Sequence, residues 1–161
     1  MEFQAHRLRI GLARRKIVLA TGVFDILHPG HLRFLEQSKK RGGPRARLVI
    51  VVARDNTVLQ RKGRKPILAE NERREVVAAL RVVDKAILGH KKLDLIGILR
   101  EIRPDMVCVG YDQNDIKSSV EKVIKQEGLE IRVVQIRKLV PKGLNSSTKV
   151  KNRIARSWAS S

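Results

Sequence analysis

The sequence predicts an α/β fold: a doubly wound parallel sheet of five strands with helices on both faces. Three observations predict it. Short apolar runs alternate with helical stretches about five times along the 161 residues. The runs are continuous and β-branched, RLVIVVA (47–53) above all, as in strands covered on both sides. Stretches rich in Gly, Pro and hydroxyl residues follow the first, fourth and fifth runs, where ligands sit in such sheets.

Each element has its own signal. KIVLAT (16–21), closed by Gly22, reads as the first strand. Pro29 and Gly30 shape the turn into a helix over HLRFLEQSKK, apolar at Leu32, Phe34 and Leu35, basic at its end and stopped by Gly42-Gly43-Pro44. RLVIVVA is the second strand. RDNTVLQRKGRKP (54–66) is polar, basic and broken by Gly63 and Pro66, and reads as a loop. ENERREVVAAL (70–80) is a helix with acids in its first turn to match the dipole. VVDKAILG (82–89) is a strand, LDLIGILREI (93–102) a helix that Pro104 ends, and DMVCVG (105–110) a strand. Residues 115–126 form a surface helix that stops at Gly128. LEIRVVQI (129–136) is the fifth strand and 146–158 the last helix. Right-handed crossovers make this a Rossmann-like domain over 16–161, preceded by a basic extension, 1–15.

Composition narrows the function classes. The chain is 42% hydrophobic and 32% charged, which is globular. No apolar stretch approaches the ~20 residues that span a bilayer, and the N-terminus has no apolar signal core. A cytoplasmic protein without a membrane partner is expected. The single cysteine, Cys108, sits in MVCVG and reads as core filler, since one Cys forms no internal disulfide. The net charge of +19 favours anionic partners: nucleotides, polyphosphates or nucleic acid. From Arg132 onward there are eight bases and no acid. Aromatic residues are only 3%, too few for a single-strand stacking platform.

The loop ATGVFDILHPGH (20–31) carries the most chemistry. Gly22 lets backbone approach a ligand closely. Pro29 suits a helix's first turn, whose free N–H groups attract anions. His28 and His31 stand on neighbouring faces at i, i+3, two donors that could stabilise charge growing on a phosphoryl group. Spacing alone leaves three readings open: a phosphate site, a metal pair or surface histidines. Asp25 could be a third ligand, but no His/Cys cluster supports zinc.

TGVFDILHPGH resembles the Gly-x-Phe-Asp-x-x-His-x-Gly-His signature of the cytidylyltransferase-like nucleotidyltransferases. ARDNTVLQRKGRKPI, ENERREVVAALRVVDKAILG, GYDQ (110–113) and NSSTKV (145–150) follow in family order, so the resemblance spans most of the chain. Within the superfamily the chain is most similar to the small archaeal FAD synthases, and next to glycerol-3-phosphate cytidylyltransferases.

The resemblance implies transfer of AMP from ATP to FMN, by direct attack of the acceptor phosphate on the α-phosphorus, with a homodimer left open. It implies Mg²⁺ or another divalent cation, carried largely by the phosphates. His28 and His31 would contact the phosphates and stabilise the transition state. The backbone of Thr21, Gly22, Val23 and Phe24 would run close to the nucleotide, and Asp25 would orient the loop or sit near the metal. Lys39 matches a helix lysine that reaches the phosphates, with a solvated helix residue as the plain alternative. Arg73 matches a family arginine that could hold a phosphate, or else forms a surface ion pair. Gly110 and Asp112 fall in the loop that reads the base, while Tyr111 either joins them or packs at the strand end. Ser146, Ser147 and Thr148 match the Ser-Thr-Thr that opens the last helix and suits the β- and γ-phosphates. Upstream of it, Arg137 or Lys138 replaces a family arginine. RKGRKP (61–66) is either a lid over acceptor or triphosphate or a solvated charge run. Two alternatives stay open: a CTP-dependent enzyme acting on glycerol 3-phosphate or a similar phospho-alcohol, and a basic nucleic-acid-binding module, which the intact HPGH opposes.

Overall fold

In β2 (Arg47–Val52) every residue after Arg47 is buried, and the side chains alternate between two cores. A computed structural model describes residues 14–138 and 143–159; 1–13, most of the expected basic extension, lie outside the described residues. Leu48, Ile50 and Val52 pack on one face with Val18 and Ala20 of β1 (Ile17–Gly22), Leu35 of α1 (Pro29–Gly42) and Val77 of α3 (Glu70–Ala78). Val49 and Val51 face the other way. They pack with Ile98 and Leu99 of α4 (Leu95–Ile102), Val107 and Val109 of β4 (Met106–Val109) and Val120 of α5 (Asn114–Gln126). A strand with two buried faces has no polar side to alternate with, which explains the unbroken VIVV.

With β3 (Lys85–Leu88) and β5 (Arg132–Gln135), the five strands form one parallel sheet in the order β3-β2-β1-β4-β5. This is the expected doubly wound Rossmann-like architecture. The chain steps outward from β1 to β3 with α1 and α3 on one face. It then returns under the other face through α4 and places β4 beside β1. The order reverses between β1 and β4, and a crevice opens past their carboxyl ends.

One expected loop is a helix. DNTVLQRK forms α2 (Asp55–Lys62), with Asp55 in its first turn, Arg61 and Lys62 in its last, and Gly63 at φ 67° ending it. Its N-terminus meets that of α3. The Asp55 N–H donates to Glu70 Oε2 (2.8 Å), and the Glu70 N–H donates to Asp55 Oδ2 (3.3 Å). Each acid thus caps the other's helix. The outer strands are also shorter than expected: Val82 and Val83 pack on the core before β3 begins, and Asp84 accepts from the Leu48 N–H at 2.7 Å. Cys108 is fully buried in β4, and burial pushes its thiol up to about 11, as a core position requires. Among the described residues no helix is long and apolar enough to cross a membrane.

Candidate functional site

A cleft of about 600 Å³ opens at the switch point. Its walls are the β1–α1 loop, α2 with the segment after it, the β4–α5 loop, and the segment that enters α6 (Ser147–Ala159).

The β1–α1 loop is strained. Phe24 (φ 52°) and Ile26 (φ 58°) are both left-handed, a region that large and β-branched side chains avoid. The Phe24 ring folds back beneath Gly22, where any Cβ would come within 2.8 Å of it. Surrounding groups hold this conformation. Asp25 is 6% exposed; its Oδ1 accepts from the N–H groups of Ile67 (2.9 Å) and Leu68 (3.1 Å), and its Oδ2 from Lys151 Nζ (2.7 Å). Burial alone would raise the Asp25 pKa, but Lys151 and the two backbone donors outweigh it, so the carboxyl stays below its ordinary value.

The loop delivers both histidines. His28 is the extended N-cap of α1, Pro29 follows it, and no side chain caps the helix. The imidazoles of His28 and His31 stack at 3.8 Å, and the His31 ring also tilts against Phe24 at 5.2 Å. Neither Nδ1 has a hydrogen-bond partner among the described residues, and both are buried. An N–H at Nδ1 would be a buried donor without an acceptor. We therefore assign the proton to Nε2, which leaves an Nε2–H donor on each ring. Burial lowers the pKa of His28. His31 falls to about 3, chiefly by burial, then by the charges of His28 and Lys62, with Asp25 opposing. Both rings are neutral at pH 7.

Residues 143–148 cross over the start of α1. A Cβ on Gly30 would lie 2.8 Å from the Asn145 carbonyl, so only glycine permits the approach. Ser146 Oγ accepts from the Lys149 N–H (3.2 Å) and caps α6; Ser147 Oγ donates to the Asp25 carbonyl (2.8 Å). Ser146, Ser147 and Thr148 therefore face the histidines across one cleft. On the far side, the Gly110 N–H donates to Gln113 Oε1 (2.7 Å), and Gln113 Nε2 reaches back to the Thr21 carbonyl (3.5 Å). This bridges β4 to β1. Asp112 lies in the wall, and Tyr111 is half-exposed at the rim with Lys138 Nζ 5.2 Å above its ring, so it does not pack into the core. Arg61, Lys62, Arg64, Lys65, Arg137 and Lys138 also line the cleft, and Arg61 pairs with Asp115 of α5. RKGRKP thus straddles the last turn of α2 and the segment after it. A lining of cations, hydroxyls and imidazole N–H groups suits a polyanion.

Two expected residues are elsewhere. Lys39 donates to the Val82 carbonyl (3.0 Å) and pairs with Asp84 Oδ2 (2.8 Å). The reason is direction: α1 runs back from the cleft, and ten residues of helix carry Lys39 about 15 Å from its start. Arg73 is neither at the surface nor free for a phosphate. It is fully buried, and its guanidinium donates to Leu68 O (3.0 Å), Val23 O (2.6 Å), Ala53 O (2.8 Å) and Asp55 Oδ1 (2.6 Å). It clips the β1–α1 loop to the start of α2. Sequence reasoning missed Gln113 and Lys151, whose roles depend on distant partners. Lys151 had one available signal, its place one helical turn after Ser147.

Among the described residues no group of three His, Cys, Asp or Glu could hold a metal ion, and the Asp25 oxygens are already engaged. The cleft offers a cation no protein cage.

Residues 19–153 match the sequence profile of a family described as Cytidylyltransferase-like. The FAD synthase of Aciduliprofundum boonei is 44% identical over 133 residues, 83% of this chain and 86% of that protein. The FAD synthase of Methanopyrus kandleri is 44% identical over 143 residues, 89% of this chain and 94% of that one. Among solved structures, a protein from Thermoplasma volcanium GSS1 described as a lipopolysaccharide core biosynthesis protein superposes with a TM-score of 0.66. It is 42% identical, covering 78% of this chain and 98% of that one.

Proposed function

The chain belongs to the cytidylyltransferase-like family, and from that premise we propose that it is an FAD synthase, transferring AMP from ATP to FMN with release of pyrophosphate. The observation that carries this reading is the 44% identity to FAD synthases over more than four-fifths of the chain. The grouping of His28, His31 and Ser146–Thr148 around one cleft supports it.

A phosphate oxygen of FMN attacks the α-phosphorus of ATP. The new O–P bond forms as the bond from that phosphorus to the bridging oxygen breaks, and pyrophosphate leaves with the electron pair. The chain supplies no nucleophile; its task is to position the reactants and balance charge. Two phosphates a few ångströms apart repel by about 1–4 kcal/mol per charge pair under ordinary screening. The Nε2–H groups of His28 and His31 donate to the oxygens of the reacting phosphorus. The start of α6, with Ser146, Ser147 and Thr148, holds the β- and γ-phosphates. Asp112 and the backbone from Gly110 face the base, and Thr21 to Phe24 carry backbone alongside the nucleotide. Arg61, Lys62, Arg64 and Lys65 draw the two anions together. Mg²⁺ or another divalent cation supplies further charge neutralisation when it arrives on the triphosphate, since the described residues build no site of their own for it.

The test is product identity. With ATP, FMN and Mg²⁺ the purified protein is expected to form a product of FAD's mass, and not to form a cytidylyl product from CTP and glycerol 3-phosphate. The reverse pattern would replace the acceptor and the base. Salt-sensitive binding to random DNA with no nucleotide turnover would replace the enzyme.

A further inference from the structure

Helix α6 buries none of its residues, yet its first turns stand on the β1–α1 loop. Among the described residues two hydrogen bonds tie it there and both end on one residue: Ser147 Oγ donates to the Asp25 carbonyl, and Lys151 Nζ donates to Asp25 Oδ2 at 2.7 Å. Ser147 and Lys151 are four residues apart and share a helix face. The other carboxylate oxygen of Asp25 takes the N–H groups of Ile67 and Leu68, which follow the basic segment after α2. One shielded carboxylate therefore joins three segments far apart in sequence. Its neighbours on either side, Phe24 and Ile26, hold left-handed conformations that need such outside support.

We propose that Lys151 is a positioning residue of the nucleotide site: through its ion pair with Asp25 it holds the Ser146–Thr148 turn over the His28–His31 pair and so sets the affinity for the triphosphate. This rests on the nucleotidyl-transfer reading above, and it adds how the two sides of the triphosphate site are kept in register. The pair is well placed for the task. The Lys151 side chain is 25% exposed and that of Asp25 7%, so solvent screens the pair less than it would a surface ion pair. Removing the ammonium takes away one of the two hydrogen bonds that join α6 to the loop among the described residues. It also leaves a nearly buried carboxylate oxygen without its cation.

The test measures binding of a non-hydrolysable ATP analogue by calorimetry without FMN, so a wrong acceptor does not affect it. Lys151→Met should weaken binding by about tenfold or more, the size of a lost partly shielded charge contact. Asp25→Asn should weaken it comparably. The double variant should bind about as well as the weaker single one, and Lys151→Arg should restore most of the affinity. The sole tryptophan, Trp158, lies on α6 and is exposed, so its fluorescence anisotropy reports the helix directly. It should fall in Lys151→Met while the far-UV circular dichroism of the domain is retained. That measurement decides the matter if Asp25→Asn does not fold. The proposal is overturned if Asp25→Asn binds the analogue normally while Lys151→Met does not, which makes Lys151 a direct phosphate ligand. It is also overturned if the two effects multiply in the double variant, or if Trp158 anisotropy is unchanged in Lys151→Met.

Discussion

The imidazoles of His28 and His31 lie face to face, 3.8 Å between centroids and 24° between planes, with both Nδ1 atoms buried and unpartnered among the described residues. Two neutral rings can stack this closely; two imidazolium ions would repel. The pair is thus built to meet negative charge with hydrogen-bond donors rather than with full positive charges.

Replacing either histidine by alanine removes one such donor. Loss of a single preorganised donor to a developing charge costs about 10²–10³ in kcat. His28→Ala and His31→Ala are each expected to lose turnover on that scale while keeping the circular dichroism of the parent. Near-normal turnover in either variant would remove that ring from the chemistry.

The depressed pKa of His31, about 3, makes stability depend on acidity. Between that value and 6.5 the unfolded chain binds a proton that the folded chain refuses. Stability due to this group is therefore intact above 6.5 and declines as pH falls, by at most about 1.4 kcal/mol per pH unit. His28 acts in the same direction. His90 acts in the opposite one, its pKa raised by Glu101 and Asp94. Urea unfolding at pH 7.5 and pH 5 isolates the contribution: His31→Gln should lose less stability than the parent on acidification. An equal loss in both would mean that His31 is not held neutral by burial.

Nucleotide binding should take up protons. A polyphosphate beside the rings raises their pKa from the depressed values of the free protein. Calorimetric titrations near pH 6, in buffers of different ionisation enthalpy, should show net uptake that falls as pH rises. No buffer dependence at any pH would mean that the phosphates do not approach the rings.

Lys39→Met separates a structural from a catalytic lysine. Its ion pair with Asp84 is partly exposed, so the variant should lose about 1 kcal/mol of stability or less, with kcat and KM for ATP unchanged. A large fall in kcat at unchanged stability would return Lys39 to the site.

Arg73→Met removes a fully buried cation and strands Asp55 and three carbonyls. The expected destabilisation is about 3–5 kcal/mol, with soluble protein recovered only at low temperature. A variant as stable as the parent would show that the clip is dispensable.

The fold was legible because its strongest signals are local. VIVV in β2 and VCV in β4 must be covered on both faces, and Gly22, Gly43, Gly63 and Gly110 fall where a strand or helix ends. The β1–α1 loop was legible as chemistry because His28, His31, Pro29 and Gly30 lie within four residues. What was not legible depends on contacts between distant segments. Helix α2 has few apolar residues, and its start is fixed by Glu70, fifteen residues on. The partners of Asp25 lie 42 to 126 residues away. Lys39 has the right residue type on the right helix, but the direction of α1 takes it to the wrong end of the sheet.

A single in-line displacement at the α-phosphorus, held between the histidine pair and the start of α6, inverts that centre. ATP made chiral at that phosphorus by one sulfur, incubated with FMN and the protein, tests it most directly. The expected product is a flavin dinucleotide with inverted configuration at that phosphorus, with one pyrophosphate released per product. Retention of configuration would mean two displacements and a nucleotidylated protein, and would contradict it.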